Sequence, residues 1–222
     1  MIYKLCLAVY FMVNINILFD FILHVDKYLD IIIQNFGIFS YIVLFLVIFI
    51  ETGLIIMPFL PGDSLIFIVG AFAAKGSFNI FIIYLVFLVA AILGDSLNYW
   101  IGSYFGERIF YKWKFFKKEY LDKTKNFYKK HGGEAIILAR FVPIVRTFAP
   151  FVAGIGEMNY KKFLRYNIIG GFLWVTLLLF AGYFFGRLEW VEKNLTIVIY
   201  LIIFISLIPV IIEYLMEKRK YK

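Results

Sequence analysis

The chain has 222 residues, of which 63% are hydrophobic and 21% aromatic, and its mean hydropathy is +0.87. A soluble domain does not need so much apolar surface, and several runs approach the roughly 20 residues that cross a bilayer as a helix. The composition excludes a soluble globular protein. It predicts an all-α, polytopic integral membrane protein that forms one compact membrane domain.

The net charge of +8 and the few cysteine and histidine residues exclude other classes. The basic residues stand between hydrophobic spans, so anionic lipid headgroups explain them more simply than nucleic acid does. Cys6 is the only cysteine, which excludes an internal disulfide and a cysteine metal cluster. Neither His24 nor His131 has a second histidine at metal-ligand spacing. We predict no metal, no cofactor and no nucleic-acid partner.

The first two predicted elements differ in strength. Residues 1–30 form an N-terminal hydrophobic or interfacial segment, and polar residues at Asn14, Asn16 and Asp20 leave open whether it spans the membrane. Residues 31–50 are uninterrupted by charge and predict a transmembrane helix.

Residues 53–74 are long enough to cross, but Pro58, Pro61 and Gly62 divide them. Proline removes a backbone donor and clashes with the preceding turn, so two half-helices of about 10 residues, each about 15 Å long, are expected. Each half reaches midway, which predicts a re-entrant hairpin. Its non-helical tip must face protein or water, because lipid cannot satisfy its backbone.

Residues 78–101 predict the next transmembrane helix, and its end carries small residues. Gly94, Asn98 and Gly102 follow at four-residue intervals, and Gly106 continues the series. Small residues at this spacing allow another helix to approach closely, so we interpret these glycines as helix-packing positions. Asp95 adjoins this face, and a carboxylate at that depth is a candidate functional group.

Residues 107–130 alternate basic and aromatic side chains, which is typical of an interfacial helix on an anionic leaflet, with residues 108–130 in contact with it. Residues 134–154 then repeat the broken-hairpin pattern, with Pro143, Pro150 and Gly154 as the expected helix breakers. Two further spans at 163–186 and 195–216 bring the total to about four to five transmembrane helices, and residues 217–222 form a basic tail.

The two hairpins belong to an internal repeat. Gly76 and Asn79 match Gly156 and Asn159 at an offset of 80 residues, and hairpin plus span occurs twice. One crossing separates the units, so the hairpins enter from opposite faces, as in the inverted repeats of many transporters. The excess of Lys and Arg places the basic loop 107–130 and the C-terminus on the cytoplasmic side.

Four ionisable groups beside the expected breaks are the main functional candidates: Glu51 and Asp63 in the first hairpin, and Arg140 and Arg146 in the second. Each charge in hydrocarbon costs about 2.5–3.5 kcal/mol unless it faces a cavity or a partner. Arginine suits phosphate, and a buried carboxylate can exchange a proton, so the set predicts a site for an anion with an apolar body. Alternatively, Glu51–Arg140 or Asp63–Arg146 form buried ion pairs that fix the fold.

At these residues the sequence resembles the DedA family of bacterial membrane proteins, which is related to eukaryotic proteins with the VTT domain. The matching motifs lie between residues 36 and 186: Glu51 with Pro58-Phe-Leu-Pro61-Gly62-Asp63, Gly94-Asp95 with Tyr99, Gly102 and Gly106, and Arg140-Phe-Val-Pro143-Ile-Val-Arg146 with Pro150-Phe-Val-Ala-Gly154. One departure is Asp63, where the family commonly has glutamate.

The resemblance implies translocation of a lipid such as undecaprenyl phosphate or phosphatidylethanolamine across the bacterial cytoplasmic membrane, with dependence on proton motive force. It assigns proton coupling to Glu51 and Asp63, and we add Asp95; it assigns the lipid phosphate to Arg140 and Arg146. The domain boundaries that follow are a transport domain at 31–186, with repeats at about 51–106 and 131–186, and a C-terminal transmembrane helix and tail at 187–222.

Three alternatives remain open at this point. A proton-coupled ion antiporter could use Glu51, Asp63 and Asp95, although two arginines disfavour a simple cation pathway. A lipid-phosphate enzyme would need a general base, and neither histidine falls in a phosphatase motif. A purely structural membrane protein would leave the arginine cost unexplained. We expect a transporter rather than an enzyme, and the protein could form a homo-oligomer.

Overall fold

The computed structural model describes residues 37–54, 62–112, 132–141, 143–194, 197–198 and 201. Several predictions lie outside the described residues: those for the N-terminal segment, for Pro58 and Pro61, for residues 113–130 of the basic segment 107–130, for both histidines, and for most of the last transmembrane helix. Every regular element in the described part of the chain is helical, as the composition predicts.

A short 3-10 turn, Gly37–Phe39, leads into the first of seven helices described here. They are α1 Ser40–Gly53, α2 Gly62–Ala74, α3 Ile80–Lys112, α4 Glu134–Ala139, α5 Pro143–Ile155, α6 Tyr160–Phe185 and α7 Glu189–Lys193. Two stretches, Ile80–Tyr104 of α3 and the whole of α6, are long and apolar enough to cross a membrane. α1, α2 and α5 have 14, 13 and 13 residues. At 1.5 Å per residue they measure about 20 Å, short of the roughly 30 Å hydrocarbon core.

The long helices expose apolar side chains and bury polar ones. On α3 the exposed large side chains follow one another at four-residue intervals, at Phe81, Leu85, Val89, Leu93 and Leu97. The opposite face of the same helix buries Asp95, Ser96 and Asn98. This arrangement suits a helix whose outer face contacts lipid and whose inner face contacts protein.

Both long helices begin with the same capping device. The Asn79 side chain accepts hydrogen bonds from the backbone N–H groups of residues 81 and 82, and Asn159 does the same for residues 161 and 162. Asparagine is a favoured N-cap because its short side chain satisfies donors that lack an intrahelical partner. A residue with positive φ precedes each cap, Gly76 at +89° and Glu157 at +55°. The 80-residue echo therefore corresponds to two equivalent helix starts.

Helices α1 and α2 form the first hairpin against α3 and α6. The hydroxyl of Tyr41, at the start of α1, accepts from the Asn79 backbone N–H at the start of α3. The other end of α1 lies at Gly94, midway along the apolar part of α3. α2 then returns until Ala71 meets Gly186, just past the end of α6. Residues 40–74 thus begin and end at the same end of the antiparallel α3–α6 pair.

Helices α4 and α5 form the second hairpin at the opposite end of that pair. Gly133, just before α4, packs against Tyr166 near the start of α6, and Arg140 lies deeper, beside Gly170. α5 returns until Gly154 meets the backbone of Tyr99 and Ser103 on α3. The inner ends of the four arms form the hairpin tips, and these ends meet near the middle of the long helices.

Glycines create two close backbone crossings that are equivalent in the two repeats. A Cβ atom at Gly70 or Gly182 would collide with the backbone of the other helix in the α2–α6 crossing, and one at Gly102 or Gly154 would do so in the α3–α5 crossing. The second arm of each hairpin therefore packs against the long helix of the other repeat. Gly94 and Gly102, two of the predicted packing positions, lie where a Cβ atom would collide with α1 and α5, and Gly106 lies within α3.

Three boundary predictions need correction. The described part of the predicted 31–50 transmembrane helix forms α1, which begins at Ser40 and continues unbroken to Gly53, so α1 is itself the first arm and no separate half-helix begins at residue 53. In the second hairpin, Pro150 and Gly154 lie inside α5 and do not break it. The first arm ends at Ala139, and Pro143 is the first residue of α5, where its missing N–H costs nothing. Pro150 is tolerated because neighbouring helices hold α5, and Gly154 serves the close crossing.

Candidate functional site

The two hairpin tips bring together all five ionisable residues that the sequence singled out. Glu51, Asp95, Arg140 and Arg146 are only 1%, 5%, 5% and 9% exposed, and Asp63 lies at the start of α2 beside them. An isolated charge in such a place would be very costly, so each must be paired or solvated. The pairing pattern is therefore informative.

Arg146 joins the two hairpins. Its Nη1 donates to Asp63 Oδ1 at 2.6 Å, and its Nη2 donates to Glu51 Oε1. The same Glu51 oxygen accepts from the backbone N–H of Gly62 at 3.2 Å. A Cβ atom at Gly62 would collide with the Glu51 carboxylate, so only glycine permits this contact. One guanidinium group thus bridges the ends of α1 and α2.

Arg140 joins the second hairpin to the long helices instead. Its Nη2 donates to Asp95 on α3 and to Asn167 on α6. Asn167 is itself held by a bond from its Nδ2 to Ile92 O at 3.1 Å. Gly170 makes room for the arginine, because a Cβ there would come within 3.0 Å of Arg140 Cδ.

Trp174 lies between the two arginines. Its Nε1 donates to Asp63 Oδ1 at 2.9 Å, and its ring centroid is 4.7 Å from Arg146 Cζ and 5.8 Å from Arg140 Cζ. A guanidinium group at this distance from an indole is stabilised by about 0.5–2 kcal/mol, more when water is excluded. The Trp174 ring therefore helps to stabilise the two neighbouring positive charges of Arg140 and Arg146.

Sequence reasoning missed Trp174 and Asn167, although a signal for them exists. Asn167, Gly170, Gly171 and Trp174 follow one another at helical spacing on the buried face of α6. A polar side chain in line with small residues inside an apolar span marks a face that packs against something polar.

The pairing only partly matches the predicted ion pairs. The Asp63–Arg146 pair is present. The expected Glu51–Arg140 pair is wrong, because Glu51 bonds to Arg146 and Arg140 bonds to Asp95. The two arginines lie on different helices and have different neighbours: Arg140 caps the end of α4 and faces α6, whereas Arg146 lies in the first turns of α5 and faces the first hairpin.

The cluster is not balanced in charge. Three carboxylates face two guanidinium groups, so the fully ionised cluster carries one net negative charge. Within the described ranges, Glu51 Oε2 and Arg140 Nε have no hydrogen-bond partner although both are buried. The cluster thus retains an unused acceptor and an unused donor, and a single added proton would neutralise it. The described residues contain no group of three or more side chains suited to hold a metal ion.

Comparison with known proteins gives consistent matches. Residues 60–184 match the family described as the VTT domain, a range from just before α2 to the end of α6. The chain is 52% identical over 209 residues to Protein DedA of Escherichia coli strain K12, covering 92% of this chain and 95% of that protein. It is 44% identical over 168 residues to an uncharacterized membrane protein of Mycobacterium leprae, covering 75% of each.

A third relative is the inner membrane protein YqjA of Escherichia coli strain K12, 37% identical over 149 residues, or 66% of this chain and 68% of that protein. No solved structure matches the chain. The names of these relatives agree with the two membrane-length helices, and the chain is a membrane protein.

Proposed function

Because this chain belongs to the DedA family of VTT-domain membrane proteins, we propose that it moves a phosphate-bearing lipid across the bacterial cytoplasmic membrane. Undecaprenyl phosphate and phosphatidylethanolamine are the two substrates to test. The observation that carries the proposal is the buried cluster in which Arg146 bridges Glu51 and Asp63 where the hairpin tips meet. We infer that the proton motive force drives or modulates the movement.

The arrangement of the hairpins supports a transport site at the membrane midplane. Each hairpin begins and ends at one end of the α3–α6 pair, and the arms described in full are too short to cross. We infer that both are re-entrant and that they enter from opposite faces. In transporters built from inverted repeats, the site lies where such broken segments meet.

The chemistry of Arg146 suits a phosphate group. A guanidinium group presents donors in a planar fork that matches two phosphate oxygens, and it stays charged when buried. In the structure described here both Nη atoms are already bonded to carboxylates. A phosphate must therefore compete with Glu51 or Asp63, and protonation of either carboxylate would release the arginine. This competition would couple lipid binding to proton uptake.

The charge balance of the cluster also favours coupling of lipid binding to proton uptake. A phosphate that brings one negative charge into the cluster leaves its net charge unchanged only if one proton enters with it. Carrying an uncompensated charge to the middle of the membrane costs several kcal/mol, so the balanced combination is the favoured one. Asp95 and Arg140 would hold the second hairpin in place and add positive charge beside the same Trp174 ring.

The surroundings of the cluster suit a lipid with its tail in the bilayer. Large apolar side chains flank the tips and are exposed on the outside of the molecule, at Leu54, Phe141, Val145 and Phe148. A headgroup could reach the cluster while the tail stays against this surface. We propose that the basic residues at 108–130, together with the exposed Lys161, Lys162 and Arg165 at the start of α6, contact the anionic cytoplasmic leaflet.

Cysteine labelling in a Cys6→Ser background tests the hairpin topology. Ile38→Cys and Lys75→Cys, which flank the first hairpin at exposed positions, should react with a membrane-impermeant reagent from one side only. Glu134→Cys and Glu157→Cys, which flank the second, should react from the other side. If the two members of either pair react from opposite faces, that segment crosses the membrane and the re-entrant hairpin is wrong.

Transport is tested with purified protein in liposomes. The rate at which each lipid changes leaflet is measured with and without a pH gradient, for the wild type and for Arg146→Gln. We expect wild-type movement of at least one lipid, acceleration by the gradient, and loss of both in the variant. Arg187→Gln is the matched control, since Arg187 is exposed and bonds to the Tyr183 hydroxyl. If lipid movement equals that of empty liposomes while ion flux follows the gradient, the protein is an ion antiporter.

A further inference from the structure

Asn98 lies at the point on α3 where both hairpins touch that helix. Its side chain is fully buried. Its Nδ2 donates to the carbonyl oxygen of Thr52 on α1 at 3.3 Å and to that of Thr147 on α5 at 2.7 Å. Carbonyl oxygens only accept hydrogen bonds, so the amide must turn its NH₂ group towards them. One side chain of α3 thus joins an arm of each hairpin.

The two carbonyl groups have a particular place in the chain. Thr52 directly follows Glu51, and Thr147 directly follows Arg146. Adjacent Cα atoms are about 3.8 Å apart across a rigid peptide unit, so holding these carbonyl groups also holds the backbone from which the two charged side chains extend. Both members of the ion pair that connects the hairpins are therefore fixed through one amide group.

The helix packing around Asn98 explains how so short a side chain reaches both arms. One turn before it, Gly94 lets the end of α1 approach, since a Cβ there would collide with the Thr52 hydroxyl. One turn after it, Gly102 lets α5 approach, since a Cβ there would collide with the Phe151 carbonyl. Asn98 therefore lies between the place where α1 approaches α3 and the place where α5 approaches it.

Packing alone does not account for this residue. Within the described part of the chain, Asn98 Oδ1 is buried without a hydrogen-bond partner, which costs stability. An apolar side chain of similar volume would avoid that cost. We propose that Asn98 is a positioning residue that keeps Glu51 opposite Arg146. Its consequence for transport rests on the proposed function, whereas its consequence for hairpin geometry does not.

The geometric test uses spin labels in a Cys6→Ser background. Leu54→Cys and Phe148→Cys place labels at exposed positions on the first and second hairpins, and electron paramagnetic resonance gives the distribution of distances between them. Asn98→Leu fills the space but removes both hydrogen bonds, so we expect a broader or shifted distribution. Asn194→Leu is the matched control, because Asn194 also bonds to a backbone carbonyl, that of Trp190, but far from the cluster.

The functional test is a double-mutant cycle in liposomes. We expect Asn98→Leu to lower lipid transport about tenfold alone but less than about twofold in an Arg146→Lys background, because residues that act as a unit are non-additive. In an Arg140→Lys background the full loss should persist, since Asn98 does not contact that pair. A residue that merely stabilised the fold would act equally in both backgrounds.

The outcomes separate the inference from the proposed function. An unchanged label distance in Asn98→Leu, or equal losses in the two arginine backgrounds, overturns the positioning role. A changed distance in a protein that transports no lipid even as wild type supports the positioning role and contradicts the proposed function. If Asn98→Leu does not fold, Asn98→Ser replaces it in both experiments. Its hydroxyl keeps only one donor, so it should give the same pattern with a smaller shift.

Discussion

Arg146 and Arg140 lie six residues apart in sequence order but form different kinds of contact. Both partners of Arg146 belong to the first hairpin, so this arginine connects one hairpin to the other. The partners of Arg140 belong to α3 and α6, so it connects the second hairpin to the long helices. If the hairpins move relative to each other during transport, the first contact must break and the second can persist. Under the proposed function, the Arg146 contact is therefore the one that changes during transport, and the Arg140 contact is the one that persists.

The largest expected effect is a loss of stability when the contact between Arg140 and Asp95 is removed. Arg140→Ala leaves Asp95 buried without its positive partner, and breaking a buried pair from one side costs about 3–5 kcal/mol. Unfolding of the purified variant in detergent should show that loss, whereas Arg187→Ala should stay within about 0.5 kcal/mol of the wild type. A near-wild-type Arg140→Ala would mean that Arg140 does not anchor the hairpin.

The second effect concerns the response to a proton gradient. In Glu51→Gln, Arg146 keeps Asp63 but loses a competitor that can be protonated, so we expect lipid transport that no longer responds to a pH gradient. The variant should remain inserted and folded, because glutamine can still accept from the Gly62 N–H. Transport is compared at equal and unequal pH, with Glu134→Gln at an exposed position as control. A wild-type gradient response in Glu51→Gln would remove this carboxylate from the coupling.

The third effect compares two equal changes at the two arginines. Lysine keeps the charge but loses the planar fork. Arg146→Lys should lower lipid transport about tenfold with little change in thermal stability, because its proposed role depends on phosphate geometry. Arg140→Lys should lower thermal stability more than it lowers transport. Transport rate and unfolding temperature are measured on the same preparations of both variants. If the two variants lose transport and stability equally, Arg146 and Arg140 do not have different roles.

The smallest effect concerns the ring between the arginines. Trp174→Phe keeps an aromatic face but removes the Nε1 bond to Asp63, and a lost hydrogen bond costs about 0.5–1.5 kcal/mol. We expect a decrease of that size in unfolding free energy with transport largely retained. Trp190→Phe, at an exposed position, is the matched control and should be neutral. A larger loss of transport than of stability would show that the indole takes part in substrate binding.

The sequence was sufficient for features that depend on local chemistry. A carboxylate or an arginine in an apolar run is costly wherever the chain folds, and all five residues identified on that ground lie in the cluster. The internal echo was visible too, and its Asn79 and Asn159 form equivalent helix caps, a role that the repeat alone did not predict.

Features set by helix crossings could not be predicted. Which carboxylate meets which arginine depends on where α1, α3 and α5 cross, and no local rule relates residues 95 positions apart such as Glu51 and Arg146. Pro150 has the chemistry of a helix breaker, yet tertiary packing keeps it inside α5. Asn98 was visible as a small-residue position, but its bonds to two carbonyl groups follow only from the three-dimensional arrangement.

The exchange of packing partners between the repeats has a consequence for how the protein is made. Asp63 precedes Trp174 by 111 residues, and the α2 surface around Gly70 is completed only when α6 arrives. At about 5–20 residues per second, the ribosome needs roughly 5–20 s to supply that distance. Until α5 and α6 are made, Glu51 and Asp63 lack Arg146, and the α2 surface around Gly70 lacks the helix that covers it. The first repeat can therefore complete its packing only after α6 has been synthesised.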